Sequence, residues 1–276
     1  MPQATDERVL LHPTRQPLED LQNQLDDRSL PIDKVGIKGL EMPIQVQDRA
    51  KNVMHTVGTF DLFVDLDASL KGTHMSRFVE ALHEHEEPYD VESLRPFLET
   101  LRNRLHSTAA YLTLQFPFFL EKKAPVTLRS SLMNYQVTLN ASLSENEYRL
   151  RQRIKIPLKT LCPCSKSIAK YGAHNQRGVV TVQVETRRTV WVQDLIQMVE
   201  SSGSSQLYAL LKRPDEKHVT EEAYENPVFV EDLVRNVVTH LQNDERIVCY
   251  QVEAENFESI HNHNAYALIR QSEGDD

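Results

Sequence analysis

Apolar and polar residues alternate along many short stretches of this chain, and a period of two predicts strands that bury one face. The run Leu62, Val64, Leu66 shows this alternation clearly. The predicted strands span residues 40–46, 53–66, 109–119, 126–139, 148–156, 179–185, 246–256 and 264–269. Helical spacing of apolar residues predicts helices over residues 76–85, 91–105, 192–201, 205–211, 220–224 and 231–241.

The order of these elements is strand-strand-helix-helix-strand-strand, and it occurs twice along the chain. We therefore predict an α+β fold of two units, residues 31–147 and 148–271, with antiparallel sheets and helices packed on one face. Residues 1–30 are polar and contain prolines, which predicts a mobile or draped arm. Residues 272–276 are mostly acidic and predict a frayed tail.

Composition and charge are those of a globular protein from a reducing compartment. The chain has 276 residues and a net charge of −9, which argues against binding nucleic acid by attraction over the whole surface. Its three cysteines, an odd number, imply no disulfide framework. No apolar run is long enough to span a membrane, and the first residues lack the apolar core of a signal peptide. We expect a cytoplasmic protein with neither a membrane nor a nucleic-acid partner.

The candidate chemistry is concentrated in one segment, CPCSKSIAKYGAHNQR, which begins at Cys162. Thiolate and imidazole are ligands that a borderline-soft divalent metal prefers, so Cys162 and His174 are candidate metal ligands. The second thiol, Cys164, is too close in sequence for an unstrained disulfide with Cys162. Pro163 can begin a helix that Gly172 ends. Cys164 would then lie in its first turn, where the helix dipole favours a reactive thiolate.

Further candidate ligands lie far away in the sequence. His261 and His263 are two residues apart, a spacing that on a strand would put both rings on one face. The segment 213–217, interpreted as a loop, offers the carboxylates of Asp215 and Glu216. Scattered Cys and His residues are often structural or incidental, and spacing alone leaves that interpretation open beside the metal site.

Several separated motifs together resemble the prokaryotic type IB GTP cyclohydrolases. These motifs are LCPCSK and YGAHNQR around the two thiols, KGTHMSR at 71–77, FVED at 229–232 and ESIHNHN at 258–264. The resemblance extends from about residue 30 to residue 271, and the motifs occur in the order that the family has.

The resemblance implies the tunnelling fold, with two β-β-α-α-β-β units per chain, and a homotetramer with active sites at subunit interfaces. It implies conversion of GTP to 7,8-dihydroneopterin triphosphate and formate, which begins the synthesis of folate and of deazaguanine-modified tRNA. The family depends on a divalent cation, manganese or zinc. By similarity, its ligands here would be Cys162, His174, Glu216 and His261.

The resemblance also implies roles for other motif residues. Cys164 would be the essential active-site thiol, and Glu231 the anchor of the guanine ring. A carboxylate can accept from both N1–H and the 2-amino group of guanine, which adenine does not offer. His263 is our candidate for protonating N7 as the ring opens. The candidates for binding the triphosphate are Lys166, Arg177, Lys71 and Arg77, the last two from another subunit.

Two other functions remain open. A nitrile reductase of queuosine synthesis has the same fold but uses a cysteine thioimide and NADPH, and it would not need His174, Glu216 and His261 as a set. A non-catalytic protein with a structural metal site would have four strong ligands and no exchangeable water. Such a protein would unfold when the metal is removed.

Overall fold

A single antiparallel sheet forms the framework of the protein. The computed structural model describes residues 20–22, 24–145 and 147–272, and in this part of the chain the strands lie in chain order from one edge of the sheet to the other. The strands are β1 (Ile32–Gln47), β2 (Val53–Leu66), β3 (Ala109–Lys123), β4 (Ser130–Ser144), β5 (Glu147–Leu161), β6 (Asn175–Thr186), β7 (Ile247–Asn256) and β8 (Ala265–Gln271). The helices are α1 (Met75–His83), α2 (Leu94–Leu105), α3 (Pro163–Ile168), α4 (Val192–Glu200), α5 (Arg213–Glu225) and α6 (Val230–Gln242).

Alternation along the strands buries one face of this sheet against the helices. Leu62 of β2 lies opposite Leu112 of β3, and Val182 of β6 lies between Ile154 of β5 and Val252 of β7. These side chains are buried, and residues of α1, α2, α4 and α6 complete the same core. The predicted α+β class, with an antiparallel sheet and helices packed on one face, is confirmed.

Most of the predicted elements are present, but the helix predicted over residues 205–211 is wrong. The amide of Ser204 donates to the carbonyl of Lys159 (3.0 Å), and the carbonyl of Ser205 accepts from the amide of Lys159 (3.0 Å). The start of this segment therefore pairs with the end of β5. The apolar spacing of residues 205–211 is helical, but the backbone of Ser205 is hydrogen-bonded to the sheet.

Two boundaries near the motifs also differ from the prediction. The residues 213–217, predicted as a loop, form the first turn of α5, where Pro214 occupies a position that needs no amide hydrogen. The helix predicted to reach Gly172 ends at Ile168, because Ala169 already has extended backbone angles. Gly172 does have a positive φ of 67°.

The predicted boundary near residue 147 falls between β4 and β5, which pair from Gln136–Lys155 to Ser144–Glu147. The two predicted units thus share one sheet, and their division stays a prediction. Most of the predicted arm, and the predicted tail after residue 272, lie outside the described residues. Every helix in the described ranges is too short or too polar to cross a membrane.

One buried carboxylate joins α5 to the turn between β3 and β4. Asp215 is 0% exposed and accepts from the amides of Val126 (2.9 Å), Thr127 (2.8 Å) and Lys212 (2.9 Å), and from the Thr127 hydroxyl (2.7 Å). Burial raises the pKa of this carboxyl, but the hydrogen bonds outweigh burial and hold the pKa below its ordinary value. Asp215 therefore fixes the start of α5, and with it the adjacent Glu216, relative to the sheet.

Asp215→Asn should loosen this junction, because an amide accepts at only one atom and leaves some of the donors without an acceptor. We expect a Tm lower by several degrees and faster hydrogen exchange at the amides of Val126 and Thr127. Asp194→Asn is a matched control, since Asp194 is also the third residue of its helix and accepts from the amide of Trp191 (3.4 Å). Unchanged exchange at residues 126 and 127 would contradict the role assigned to Asp215.

Candidate active site

Cys162 lies between the end of β5 and the start of α3. It caps this helix, and its Sγ accepts from the amide of Ser165 (3.4 Å), while Pro163 supplies the first helical residue. The amide of Cys162 donates to the carbonyl of His174 (3.1 Å), and the amide of His174 donates to Ser165 Oγ (3.1 Å). These hydrogen bonds hold Cys162 and His174 side by side, as their predicted pairing requires.

One hydrogen-bond partner and one nearby carboxylate orient the ring of His174. Its Nδ1 lies 3.0 Å from Gln176 Oε1 and 3.7 Å from Glu258 Oε2. Gln176 is fixed in turn, because its Nε2 donates to Thr160 Oγ1 (2.9 Å). A proton on Nδ1, donated to Gln176 Oε1, leaves the lone pair of Nε2 free to bind a metal ion.

His261 and His263 lie in the loop between β7 and β8, as the predicted strands on either side of them indicate. Their rings are stacked, with centroids 5.1 Å apart and planes inclined by 18°. The ring of His261 also meets that of His174 edge-on, at 6.5 Å between centroids. Both loop histidines are exposed. Three imidazoles therefore gather beside the segment that begins at Cys162.

Glu216, the fourth predicted ligand, lies in the first turn of α5 with an exposed side chain. α5 borders the same region, because Thr220 lines a cavity together with Ala173, which precedes His174. Within the described part of the chain, however, no three His, Cys, Asp or Glu side chains are close enough to hold a metal ion. The donor types suit a borderline-soft divalent ion, whereas their positions in a single chain do not close around one.

The two thiols of the motif differ in their surroundings. Cys162 is half-buried and hydrogen-bonded, whereas Cys164 is exposed in the first turn of α3. None of the three cysteines, all in the described part of the chain, forms a disulfide. Cys164 is therefore open to a ligand that enters beside the imidazoles.

Glu231, the predicted guanine anchor, is exposed in the first turn of α6. The chain before this helix is tied to the motif strand, since the amide of Val228 donates to the carbonyl of Leu161 (3.0 Å). Leu161 immediately precedes Cys162. α6 therefore begins close to the thiol segment.

The four predicted phosphate-binding residues fall in two places. Lys166 lies on α3 with Cys164, and Arg177 lies on β6 opposite Lys159 of β5. The ammonium of Lys166 donates to the carbonyl of Tyr224 and lies 4.4 Å from the centre of its ring. Lys71 and Arg77 flank the start of α1, which packs beside β1 in the other half of the sheet.

Two residues that orient the site, Gln176 and Glu258, were missed in the sequence. Each lies inside a motif, Gln176 in YGAHNQR and Glu258 in ESIHNHN, and that position was the available signal. Their approach to His174 depends on the pairing of β6 with β7, which no local pattern reveals.

Comparison with known proteins identifies relatives along almost the whole chain. A model of the type I GTP cyclohydrolase FolE2 family matches residues 18–267. The chain is similar to GTP cyclohydrolase FolE2 of Nitrosococcus oceani, with 49% identity over 92% of this chain and 95% of that protein. It is also similar to GTP cyclohydrolase FolE2 of Aromatoleum aromaticum, with 50% identity over 91% of this chain and 93% of that protein.

A solved structure supports the predicted fold. The highly active mutant of Bacillus sp. TB-90 urate oxidase aligns with 87% of this chain and 99% of its own, with a TM-score of 0.50 and 8% identity. Identity this low concerns the fold alone, and the predicted tunnelling fold is confirmed.

The family model and the relatives cover the thiol, histidine and glutamate motifs. The chain belongs to the type I GTP cyclohydrolase FolE2 family.

Proposed function

We propose that the protein converts GTP to 7,8-dihydroneopterin triphosphate with release of formate, the first step toward folate and deazaguanine-modified tRNA. The observation that carries this proposal is the grouping of Cys162, His174 and the stacked His261–His263 pair in a member of the FolE2 family. Opening a guanine ring requires activated water, several proton transfers and a group that holds the base. The candidate site offers residue types for each of these tasks.

A divalent ion, manganese or zinc, is part of the proposed site. Cys162, the Nε2 atom of His174, Glu216 and His261 would hold it, a donor set suited to such an ion. When bound, the ion lowers the pKa of water, so that hydroxide for hydrolysis at C8 is available near neutral pH. The open arrangement in one chain fits a site that closes only when the ion or a neighbouring subunit is in place.

The remaining residues would transfer protons and hold the base. His263 is exposed and stacked on His261, where it can give a proton to N7 as the ring opens. The exposed thiol of Cys164 contacts the base and ribose and acts as an acid or base. Glu231 accepts from N1–H and the 2-amino group of guanine at the start of α6.

We also propose a homotetramer with active sites at subunit interfaces. Apolar side chains of the two motif segments are exposed in the single chain: Ile168 is 85% exposed, Tyr171 82% and Ile260 64%. A second subunit that covers exposed apolar side chains in these segments would remove them from water. It would also shield the candidate site from water.

The proposed triphosphate-binding residues support the same assembly. Lys166 lies on α3 and Arg177 on β6, whereas Lys71 and Arg77 lie next to β1. A neighbouring subunit could bring its α1 to the site and complete the set. Lys166 would have to leave the carbonyl of Tyr224 to reach a phosphate.

The enzyme would work in the cytoplasm, with neither a membrane nor a nucleic-acid partner. None of the three cysteines in the described part of the chain forms a disulfide, which suits a reducing compartment. The net charge of −9 does not favour attraction to nucleic acid.

Metal-dependent turnover of GTP is the direct test of this function. With GTP and manganese, the protein should form a product that becomes a fluorescent pterin on oxidation. Chelation should abolish this activity and added manganese should restore it, while circular dichroism stays constant. Unfolding on chelation would indicate a structural metal instead, and NADPH oxidation with a nitrile substrate would indicate a reductase.

Cys164→Ala should lower kcat by about 100-fold or more, the effect expected when a positioned acid–base group is lost. Its Tm should not change, because the thiol is exposed. Cys249→Ala is the matched control, since this half-buried thiol lies on β7, away from the motif. Near-normal turnover by Cys164→Ala would remove Cys164 from the mechanism.

Glu231→Gln should weaken recognition of guanine, because a carboxylate accepts two hydrogen bonds side by side and an amide accepts only one of them. We expect kcat/KM for GTP to fall by about 10- to 100-fold, and that for inosine triphosphate, which lacks the 2-amino group, to fall less. Asp232→Asn is the control, since Asp232 pairs with Arg235 (2.8 Å). Equal losses for the two nucleotides would contradict the anchor role.

A further inference from the structure

A cavity of about 370 Å³ lies between α5 and the loop that carries His174. Ala173 and Asn175, which flank His174, line one side, and Thr220 of α5 lines another. Lys159 of β5 also lines this cavity. None of the roles assigned above uses Lys159, although its side chain borders a cavity next to a candidate metal ligand.

Lys159 stands directly opposite a second cation. Its Cα pairs with that of Arg177 across β5 and β6. The adjacent residues Leu158 and Thr160 are 0% exposed, so Lys159 and Arg177 lie on the face of the sheet turned away from the core. Like charges directly opposite each other destabilise a sheet.

No carboxylate in the described part of the chain forms an ion pair with Lys159 or Arg177. Farther along the same face, by contrast, Arg151 is paired with Glu185 at 2.7 Å. Burial lowers the pKa of Lys159, and no nearby carboxylate raises it again. This half-buried cation therefore lacks both full hydration and an anionic partner.

Two carboxylates also line the cavity, but neither forms an ion pair with Lys159. Glu221 and Glu225 share its wall, and Glu221 is paired with Lys217 at 2.6 Å. Neither one contributes to the pKa of Lys159. The amide of Asn175 and the hydroxyl of Thr220 are further hydrogen-bond donors in the lining.

We propose that Lys159 binds the triphosphate chain of the nucleotide in this cavity, with Arg177 opposite it on the neighbouring strand. The proposal rests on the function proposed above and adds a residue to its binding site. A polyphosphate supplies the negative charge that the cation pair lacks, and its oxygens replace the water that burial removes from the lysine. Lys166 packs on Tyr224, another residue of the same lining, so it lies within the same region.

The test compares binding of GTP and guanosine to the full-length chain by calorimetry, with metal withheld so that GTP is not consumed. In Lys159→Met, which keeps an apolar stem, Kd for GTP should rise about 10- to 100-fold, as expected for one charge-assisted hydrogen bond, and Kd for guanosine should not change. Lys159→Arg should bind GTP more tightly than Lys159→Met does. Lys155→Met is the matched control, since Lys155 lies on the same strand and face opposite neutral Thr181.

Each outcome separates this inference from the proposed function. If Lys159→Met binds GTP as tightly as the unaltered chain, Lys159 does not contact the triphosphate. If it weakens GTP and guanosine equally, or if its Tm falls well below that of Lys155→Met, the lysine supports the base or the fold instead. If the unaltered chain binds neither ligand and forms no pterin with manganese, the proposed function itself is wrong.

Discussion

The strands of the sheet direct alternate residues toward the helices, and burial of these residues determines the register of the sheet. Ile154, Val182 and Val252 form one row of the buried face across β5, β6 and β7. Burying an aliphatic side chain of this size contributes about 1.5–3 kcal/mol. A slip of one residue in β5 would expose Ile154 and turn the charged Arg153 or Lys155 into the core. The register therefore has one favourable value, and the ends of the strands are held at fixed positions.

The candidate site follows from this fixed register. Leu161 pairs with Asn175 at the ends of β5 and β6, so Cys162 and His174 leave the sheet side by side. β6 also pairs with β7, and the loop 257–264 that follows β7 is thereby placed next to His174. A rigid sheet thus positions side chains that belong to short exposed segments, where they remain accessible to a ligand.

Local patterns were sufficient where an element's own sequence decides its burial, as for β2, whose bounds match the prediction. They failed where distant hydrogen bonds decide, as in residues 205–211, whose first residue, Ser205, pairs with Lys159 near the end of β5. Asp215 resembles a surface acid in the sequence, yet it is fully buried because a distant turn donates to it. The motifs were sufficient to predict the residue types of the candidate site. The pairing of Lys159 with Arg177 could not be predicted, because it depends on the register between two strands, which the sequence of neither strand determines.

Side chains whose surroundings do not favour folding lie together at one end of this sheet. Cys164 is an exposed thiol, and the imidazoles of His261 and His263 stack in solvent. Lys159 lies opposite Arg177 with no carboxylate paired to either in the described part of the chain. Elsewhere on the same face a cation has its partner, as Arg153 has Glu253 at 3.1 Å. Such deviations cost stability and persist where function requires them. Because these lie together, the proposed nucleotide and the proposed metal ion would offset them all: phosphates for the cations, the ion for thiolate and imidazole, and a purine beside the exposed thiol.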